Sequence, residues 1–180
     1  MALEVELDPV RDAVDYTVPR WYATYTSARH EKRVAEELAR RTVDVYLPLY
    51  EAVRRWKDRR KLVQLPLFPG YVFVHLPLKD RLRVLQIPGV VRFVGFNGHA
   101  IALESAEIET LRNGLSQRLR AEPHPYLTAG RRVRIRNGAF QGLEGILLRH
   151  KGVWRVVVSI HLIMRSVAIE VDASEVEPLL

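Results

Sequence analysis

The apolar run from Leu65 to Leu76 constrains the fold of this chain more than any other segment. It reads LPLFPGYVFVHL, with Pro69-Gly70 in its middle. Proline fixes the backbone angle φ and glycine adopts conformations that other residues resist, so this pair predicts a sharp turn. The aromatic and β-branched residues after Gly70 predict a buried strand.

Composition divides the 180 residues into four zones. Residues 1–19 are acidic, end at Pro19 and are interpreted as a flexible lead. Residues 20–119 mix strand and helix patterns. Residues 120–129 hold two prolines without periodicity and are interpreted as a linker. Residues 130–180 show the period-two alternation of a small all-β domain.

The patterns within 20–119 favour helices packed on a mainly antiparallel sheet, so the fold class is α+β. Ser27 is placed to cap the first helix, whose apolar stripe is Val34 and Leu38. The predicted elements are strands over Trp21–Tyr25, Val43–Val53, Tyr71–Leu76 and Val90–Phe96, and helices after Ser27, over Asp80–Gln86 and after Ser105.

In residues 130–180, Val133 and Ile135 alternate with arginines, and Val167, Ile169 and Val171 repeat the pattern later. Short strands within about 50 residues favour a small barrel, because closing a sheet hides edges that would otherwise invite aggregation.

Charge indicates a polyanionic partner. Residues 1–15 hold five acids and one arginine, a net of −4, so the total of +7 leaves +11 on the other 165 residues. Nucleic acid is the commonest polyanion. The alternative is a basic surface that only keeps the protein soluble.

A basic stretch concentrates this charge. Between two predicted strands it holds six bases and one acid, or +5, with a tryptophan near its centre. Cations neutralise phosphates and tryptophan stacks on exposed bases, so a mobile nucleic-acid-binding finger is predicted. The alternative is a polar loop with the tryptophan against the sheet. The predicted contacts are Arg54, Arg55, Trp56, Lys57, Arg59, Arg60 and Lys61.

Enzyme chemistry is not indicated. The six histidines are scattered without the spacing of metal ligands, and no hydrolase or phosphate-loop motif is present. We therefore expect no catalytic residues, metal or cofactor. The absence of cysteine excludes disulfides and suits a reducing cytoplasm, and no apolar run reaches the ~18 residues of a membrane span.

Two motifs together resemble the NusG family of transcription elongation factors. The first is Leu67 to Val74 (LFPGYVFV), with Trp21-Tyr22 upstream and His30-Glu31-Lys32 at the start of a helix. The second is Gly130 to Ile146, which is similar to the KOW motif. The resemblance covers residues 20–180. Within it, the loop at 159–166 is longer than the corresponding tight loop of general NusG proteins.

For the first domain, the resemblance implies a docking site for the clamp helices of the largest RNA polymerase subunit, close to upstream or non-template DNA. Phe68 and Tyr71 would then line an apolar depression, although filling their own core remains the alternative. The implied polymerase-binding residues are Trp21, Tyr22, Phe68, Pro69, Gly70 and Tyr71.

For the second domain, the resemblance implies recruitment of another factor, such as a small-subunit ribosomal protein. Gly138 and Gly142 flank Phe140 and would let it project outward. The loop at 159–166 lacks the aromatic of general NusG proteins, which argues against Rho binding and for a specialised paralogue of the UpxY or RfaH type. The implied partner-binding residues are Phe140, His161, Leu162 and Ile163.

The resulting hypothesis is a monomeric cytoplasmic elongation or antitermination factor that binds polymerase through its first domain and a partner through its KOW domain. It would suppress pausing by favouring the active state. The alternatives are a ribosome-associated or RNA-binding KOW protein and, more remotely, a nuclease. The Trp21-Tyr22 and FPGY motifs argue against the first, and metal-dependent cleavage would test the second.

Overall fold

The computed structural model describes residues 15–56, 59–116, 121–124, 130–150 and 152–179. None of the helices in these residues is long and apolar enough to cross a membrane. The N-terminal part of the described chain has three α-helices. They are α1 (Glu31–Arg40), α2 (Leu82–Leu85) and α3 (Ser105–Ser116). The strands of this part are β1 (Arg20–Thr26), β2 (Asp44–Tyr46), β3 (Leu49–Trp56), β4 (Arg59–Pro66), β5 (Tyr71–Leu76), β6 (Val90–Phe93), β7 (Gly95–Phe96), β8 (His99–Ala100) and β9 (Ala102–Leu103).

The C-terminal part is all β, which confirms the predicted α+β class. Its strands are β10 (Ala121–His124), β11 (Arg132–Ile135), β12 (Glu144–His150), β13 (Val153–Ile160), β14 (Arg165–Val171) and β15 (Val176–Pro178). Within the described residues, 3-10 helices lie at Leu78–Asp80, His161–Ile163 and Ala173–Glu175.

The N-terminal sheet has the order β2-β5-β1-β6, with β9 also paired to β1. The strand predicted after Gly70 is β5, and it lies inside the sheet. In the antiparallel pairing of β1 with β5, Ala23 faces Phe73 and Tyr25 faces Tyr71. Residues opposite each other share one face of a sheet, so this pairing gathers aromatic side chains on one side. We call this side the aromatic face and define it by Trp21, Tyr46, Phe68, Tyr71 and Phe73.

The opposite face of the sheet packs on α1 and α2. Val72 and Val74 alternate with the aromatic residues of β5 and are fully buried there, beside Val34 and Leu38 of α1. The apolar stripe predicted for the first helix is therefore confirmed.

The turn before β5 is held from both sides. Gly70 has φ +85, a left-handed conformation that favours glycine. Its amide donates to Oε1 of Glu31 at 2.8 Å, and its carbonyl accepts from the amide of Thr26 at 2.8 Å. The predicted sharp turn is confirmed, and it joins β5 to the start of α1.

The predicted cap at Ser27 is wrong. Helix α1 begins at Glu31, and no side chain caps it. Ser27 instead uses its backbone, since its carbonyl accepts from the amide of His30 at 3.1 Å and its amide donates to the carbonyl of Gly89 at 2.8 Å. The backbone of Ser27 therefore connects the turn at Gly89 to the end of β1. Helix α1 begins only at Glu31.

The basic stretch is not a loop between strands. β3 continues to Trp56 and β4 starts at Arg59, and the two pair antiparallel from Leu49 opposite Pro66 to Trp56 opposite Arg59. The predicted finger is therefore a two-stranded hairpin, which we call the basic hairpin (Leu49–Pro66). Lys57 lies outside the described residues.

The C-terminal sheet has the order β10-β14-β13-β12-β11-β15. The predicted alternation is confirmed, because Val133, Ile135, Val167 and Ile169 are all buried in one core. Part of the segment predicted as a linker belongs to this sheet, since Ala121–His124 pair with Ser166–Ile169 of β14.

One continuous core joins the two parts of the chain. It includes Trp21, Phe68 and Phe73 from the aromatic face together with Phe140 and Ile163 from the C-terminal part. Phe140 is only 4% exposed, so the expectation that it projects outward is wrong.

A glycine in α3 makes room for this ring. A Cβ added to Gly114 would lie 2.0 Å from Cε1 of Phe140. A glycine inside a helix costs about 1 kcal/mol against alanine. Burying a phenyl ring offsets that cost, since a fully buried Phe side chain contributes about 1.5–3 kcal/mol.

We expect Glu31→Ala to lower the free energy of unfolding by about 2 kcal/mol, because the Gly70 amide would lose a charged acceptor. Glu31→Gln keeps an oxygen acceptor and should cost less. Urea unfolding of both variants, with Glu36→Ala on the exposed side of α1 as control, measures the difference. Equal stability of Glu31→Ala and the control would contradict the role of this contact.

We expect Gly114→Ala to weaken the contact between α3 and the C-terminal part. The added methyl strengthens the helix by about 1 kcal/mol but overpacks against Phe140, which costs about 1–3 kcal/mol. Small-angle X-ray scattering should show a larger radius of gyration than in Asn113→Ala, an exposed control on the same helix. An unchanged scattering profile would show that the ring moves aside without separating the parts.

Candidate functional site

The aromatic face is a closely packed set of rings. Trp21 meets Tyr46 edge to face with centroids 6.5 Å apart, and Phe68 meets Phe73 in the same way at 5.6 Å. Such edge-to-face pairs add about 0.5–1.5 kcal/mol beyond their burial. The sheet and the turn at Gly70 together bring Trp21, Phe68 and Tyr71 into one cluster, and Pro69 lies exposed beside them.

Tyr22 does not belong to this cluster. It alternates with Trp21 along β1, so its side chain lies in the core on the α1 side, edge to face with Phe93 at 6.0 Å. Burial is the main cause that raises the pKa of its phenol. The side chain therefore supports the sheet from behind rather than lining the aromatic face.

A polar border holds α3 on the rim of the aromatic face. The indole Nε1 of Trp21 donates to Oε1 of Glu109 at 3.0 Å. The guanidinium of Arg112 lies 5.8 Å from the Trp21 ring and 3.3 Å from a carboxylate oxygen of Asp44. Glu109 and Arg112 were not identified from the sequence, although their spacing of three places both on one side of a helix.

Tyr46 is a further residue that was not identified from the sequence. Its hydroxyl is buried and has no hydrogen-bond partner among the described residues. Burial, the largest cause, raises the pKa of this phenol well above its ordinary value, and the nearby Arg112 opposes the shift. The tyrosine therefore stays neutral. The only sequence signal was its place in a predicted strand.

Tyr71 lies at the edge of the aromatic face in a row of two rings flanked by two cations. Its ring is 5.5 Å from that of Tyr25, the guanidinium of Arg92 lies 5.8 Å from the Tyr25 ring, and that of Arg165 lies 5.8 Å from the Tyr71 ring. Arg165 belongs to β14, so this row crosses from one part of the chain to the other.

The C-terminal sheet covers the aromatic face. Phe68 is 1% exposed in the joint core, and Ile163 is buried in the same core. Leu162 packs against it partly buried, whereas His161 is exposed. Trp21 and Phe68, which are implied for polymerase binding, therefore share one buried core with Phe140 and Ile163, which are implied for partner binding.

The residue that follows the 3-10 helix His161–Ile163 was not identified from the sequence as a site residue. Met164 adopts a left-handed conformation with φ +48 and is exposed. A non-glycine residue rarely adopts this conformation. It lets the chain reverse from the 3-10 helix into β14.

The outer half of the basic hairpin places like charges opposite each other. Arg54 faces Lys61, Arg55 faces Arg60, and Trp56 faces Arg59. Like charges directly opposite are destabilising in an antiparallel pair, so this surface favours a polyanionic ligand. Exposed Val53 and Leu62 form the next pair toward the base.

No group of three or more His, Asp or Glu side chains within the described ranges is arranged to hold a metal ion.

Comparison with known proteins identifies the N-terminal part. A sequence profile of the NusG family, described as transcription termination factor nusG, matches residues 19–112. This range contains the aromatic face and the basic hairpin, and it spans more than half of the chain.

Relatives match along nearly the whole chain. The transcription termination/antitermination protein NusG of Rickettsia felis is 24% identical, with 97% of each chain covered. That of Lactococcus lactis is 28% identical over 88% of this chain and 92% of the relative. That of Haemophilus influenzae is 28% identical over 89% and 94%.

A solved structure shares the fold. The structure of Thermotoga maritima NusG, described as showing domain interaction, has a TM-score of 0.60 and 22% identity, and it covers 92% of this chain and 99% of its own. Resemblance to a specialised paralogue stays a prediction. The profile and the relatives describe transcription factors and not enzymes. The chain therefore belongs to the NusG family of transcription termination/antitermination factors.

Proposed function

We propose that the chain binds RNA polymerase through the aromatic face and so acts on elongation, pausing or termination. The observation that carries this is the clustering of Trp21, Phe68 and Tyr71 on one side of the sheet. Buried aromatic residues in a concave patch are the usual source of affinity in small interfaces. The clamp helices of the largest subunit are the proposed partner.

Access to the aromatic face requires the C-terminal sheet to move away. Phe68 is almost fully buried, and Tyr71 lies beneath Arg165. Binding energy at the face must therefore offset the loss of the joint core. A ligand that binds only the separated form shifts the population toward it.

The same separation would free the C-terminal part for its own partner. Phe140 and Ile163 are buried in the joint core, with His161 and Leu162 beside them. We infer that these four residues bind a second factor, with a small-subunit ribosomal protein as the candidate and Rho as the less favoured one. Polymerase binding and partner recruitment would then become possible together.

The basic hairpin supplies the proposed nucleic-acid contact. Arg54, Arg55, Arg59, Arg60 and Lys61 lie on paired strands, with Trp56 opposite Arg59. Paired strands hold the backbone of these residues in place, so less backbone conformational entropy is lost on binding phosphate than in an unpaired loop. Upstream or non-template DNA is the proposed ligand, with Lys57 as a further contact.

We expect Tyr71→Ala to weaken binding to core RNA polymerase about tenfold, because an aromatic side chain of the proposed interface is lost. The polymerase is used without nucleic acid. The change also removes the Arg165 contact, so it is made in the Gly114→Ala background, where the cover is already loosened. Biolayer interferometry gives the dissociation constants. Phe96→Ala in the same background removes an exposed aromatic elsewhere and should leave binding unchanged.

Gly114→Ala alone should tighten polymerase binding, because less of the binding energy is spent on separating the two parts. Asn113→Ala is the matched control. Unchanged affinity in Gly114→Ala and in the Tyr71→Ala double variant would remove the aromatic face as the polymerase site.

We expect Arg55→Glu with Arg60→Glu to weaken binding to an elongation complex and to reduce its salt dependence. Losing two phosphate contacts lowers the slope of log affinity against log salt by about 1.8 on duplex DNA. Arg33→Glu with Arg40→Glu on α1 makes the same change in net charge. An equal effect in both variants would show that only total charge matters.

A further inference from the structure

A cavity lies away from the aromatic face and the basic hairpin, beside the point where the described chain begins. It has a volume of about 540 Å³ and is formed by the 3-10 helix at Leu78–Asp80, α2, β6 and the β7-β8 pair. Its lining includes Arg81 and Arg92, and none of the ten described residues that line it is acidic. We call it the basic cavity.

The floor of the basic cavity is apolar. Leu78 is buried there, Phe93 is half-buried, and Leu85 is 37% exposed. Leu82, the residue after Arg81, is 59% exposed. An occupant that carries both apolar side chains and negative charge is therefore favoured, because it would cover the leucines and neutralise the arginines.

The described chain starts at the wall of this cavity. Tyr16 lines the cavity, and its carbonyl accepts from the amide of Lys79 at 3.0 Å. The pKa of the Asp15 carboxyl is lowered, chiefly because the Thr17 hydroxyl donates to it. The charges of Arg20 and Lys79 lower this pKa as well. The residues that precede Asp15 are therefore attached beside the basic cavity, in a region of positive potential.

Residues 1–14, which lie outside the described residues, have the composition that the basic cavity favours. From Leu3 to Asp8 they alternate apolar and acidic residues, reading LEVELD. In an extended chain, such alternation places apolar side chains on one side and carboxylates on the other. Each extended residue spans about 3.3–3.6 Å, so the alternating stretch is long enough to reach the cavity that Tyr16 lines.

We propose that residues 1–14 of this chain occupy the basic cavity. The carboxylates of Glu4, Glu6 and Asp8 lie beside Arg81 and Arg92, and the apolar residues between them cover the floor. Exposed ion pairs are individually weak, but a covalently attached segment acts at an effective concentration of up to about millimolar. The segment is thus an intramolecular cover that must leave before another polyanion reaches the two arginines.

The base of the basic hairpin is a poorer site for the same segment. The cavity there is lined by Glu51, Glu122 and Glu170 as well as Arg155. Carboxylates on the segment would be repelled by these glutamates. The proposed cover goes beyond the proposed function and requires neither polymerase nor DNA.

The test uses the full chain, which has no cysteine of its own. A nitroxide attached at Ala2→Cys broadens the amide NMR signals of residues that lie near it. Gly98 and His99 line the basic cavity and report docking there, whereas Arg55 and Arg60 report contact with the basic hairpin. Spectra are compared at low and high salt, because screening weakens exposed ion pairs.

We expect the broadening at the cavity amides to fall about twofold or more at high salt. Glu4→Gln with Glu6→Gln, the segment variant, should show the same reduced broadening at low salt. Glu36→Gln with Glu104→Gln removes two exposed acids elsewhere and should leave the broadening unchanged.

The arginines are tested in the same way. Arg81→Gln with Arg92→Gln, the arginine variant, should also reduce the broadening, whereas Arg33→Gln with Arg131→Gln, two exposed arginines elsewhere, should not. A mixture of nitroxide-labelled chain and a separate isotope-labelled chain without nitroxide should show no broadening, because the segment binds its own chain.

A second measurement follows access to the arginines. Binding of inorganic tripolyphosphate is measured by isothermal titration calorimetry. The segment variant should bind about threefold more tightly than its acid-removing control, because covering a site reduces its apparent affinity by the uncovered fraction. In the background of the arginine variant, the segment substitutions should have no more effect than the control substitutions, since the two sets act on one contact.

Broadening confined to the basic hairpin, or equal broadening in the segment variant and its control, would overturn the proposal. Broadening between separate chains would exclude an intramolecular cover. A tripolyphosphate affinity that the segment variant raises no more than its control would show that the arginines are not covered. Polymerase and DNA are absent from both measurements, so failure of the proposed function would leave these outcomes unchanged.

Discussion

The carboxylate of Glu31 accepts a hydrogen bond from the amide of Gly70, and this contact decides where three elements meet. The amide of Thr26 holds the carbonyl of the same glycine. The end of β1, the start of α1 and the start of β5 are thus fixed around one residue. Because a shift of one residue along β5 would exchange its two faces, the turn also decides which side of the sheet is aromatic.

The two faces of that sheet have different partners. One lies on helices of the same part of the chain and holds Tyr22, Val72 and Val74. The other is covered by α3 and the C-terminal sheet, and its rings share a core with Phe140 and Ile163. The aromatic face would be a large exposed apolar patch if it were left bare, and such patches favour aggregation. Covering it within the chain avoids that exposure.

The sequence predicted the elements that depend on interactions between residues close together in the chain. The turn at Gly70, the strand after it and the apolar stripe of α1 follow from conformational preference and periodicity, and all three are confirmed. Tyr22 was grouped with Trp21 because the two are adjacent, yet alternation along β1 separates them. Phe140 was expected outside because its flanking glycines permit it, but burial against Gly114 depends on a residue 26 positions earlier.

For the basic hairpin too, the sequence alone did not predict the local structure. Arginine-rich segments carry little strand preference of their own, so charge suggested a loop. Both strands stay extended because they pair with each other from the apolar residues at the base of the hairpin to the basic residues at its outer end. At the candidate site, the cluster of Trp21, Phe68 and Tyr71 was predicted through family resemblance, whereas Tyr46, Glu109 and Arg112 needed the tertiary arrangement.

The strand β10 has a consequence for how the chain behaves at high concentration. It is four residues long, contains Pro123, and pairs with β14 at one end of the C-terminal sheet. Without it, residues Ser166 to Ile169 of β14 would form an unpaired edge that another copy could pair with. Proline has no amide hydrogen and interrupts further pairing. The strand between α3 and the C-terminal sheet thus also blocks the growth of the sheet from one molecule to the next.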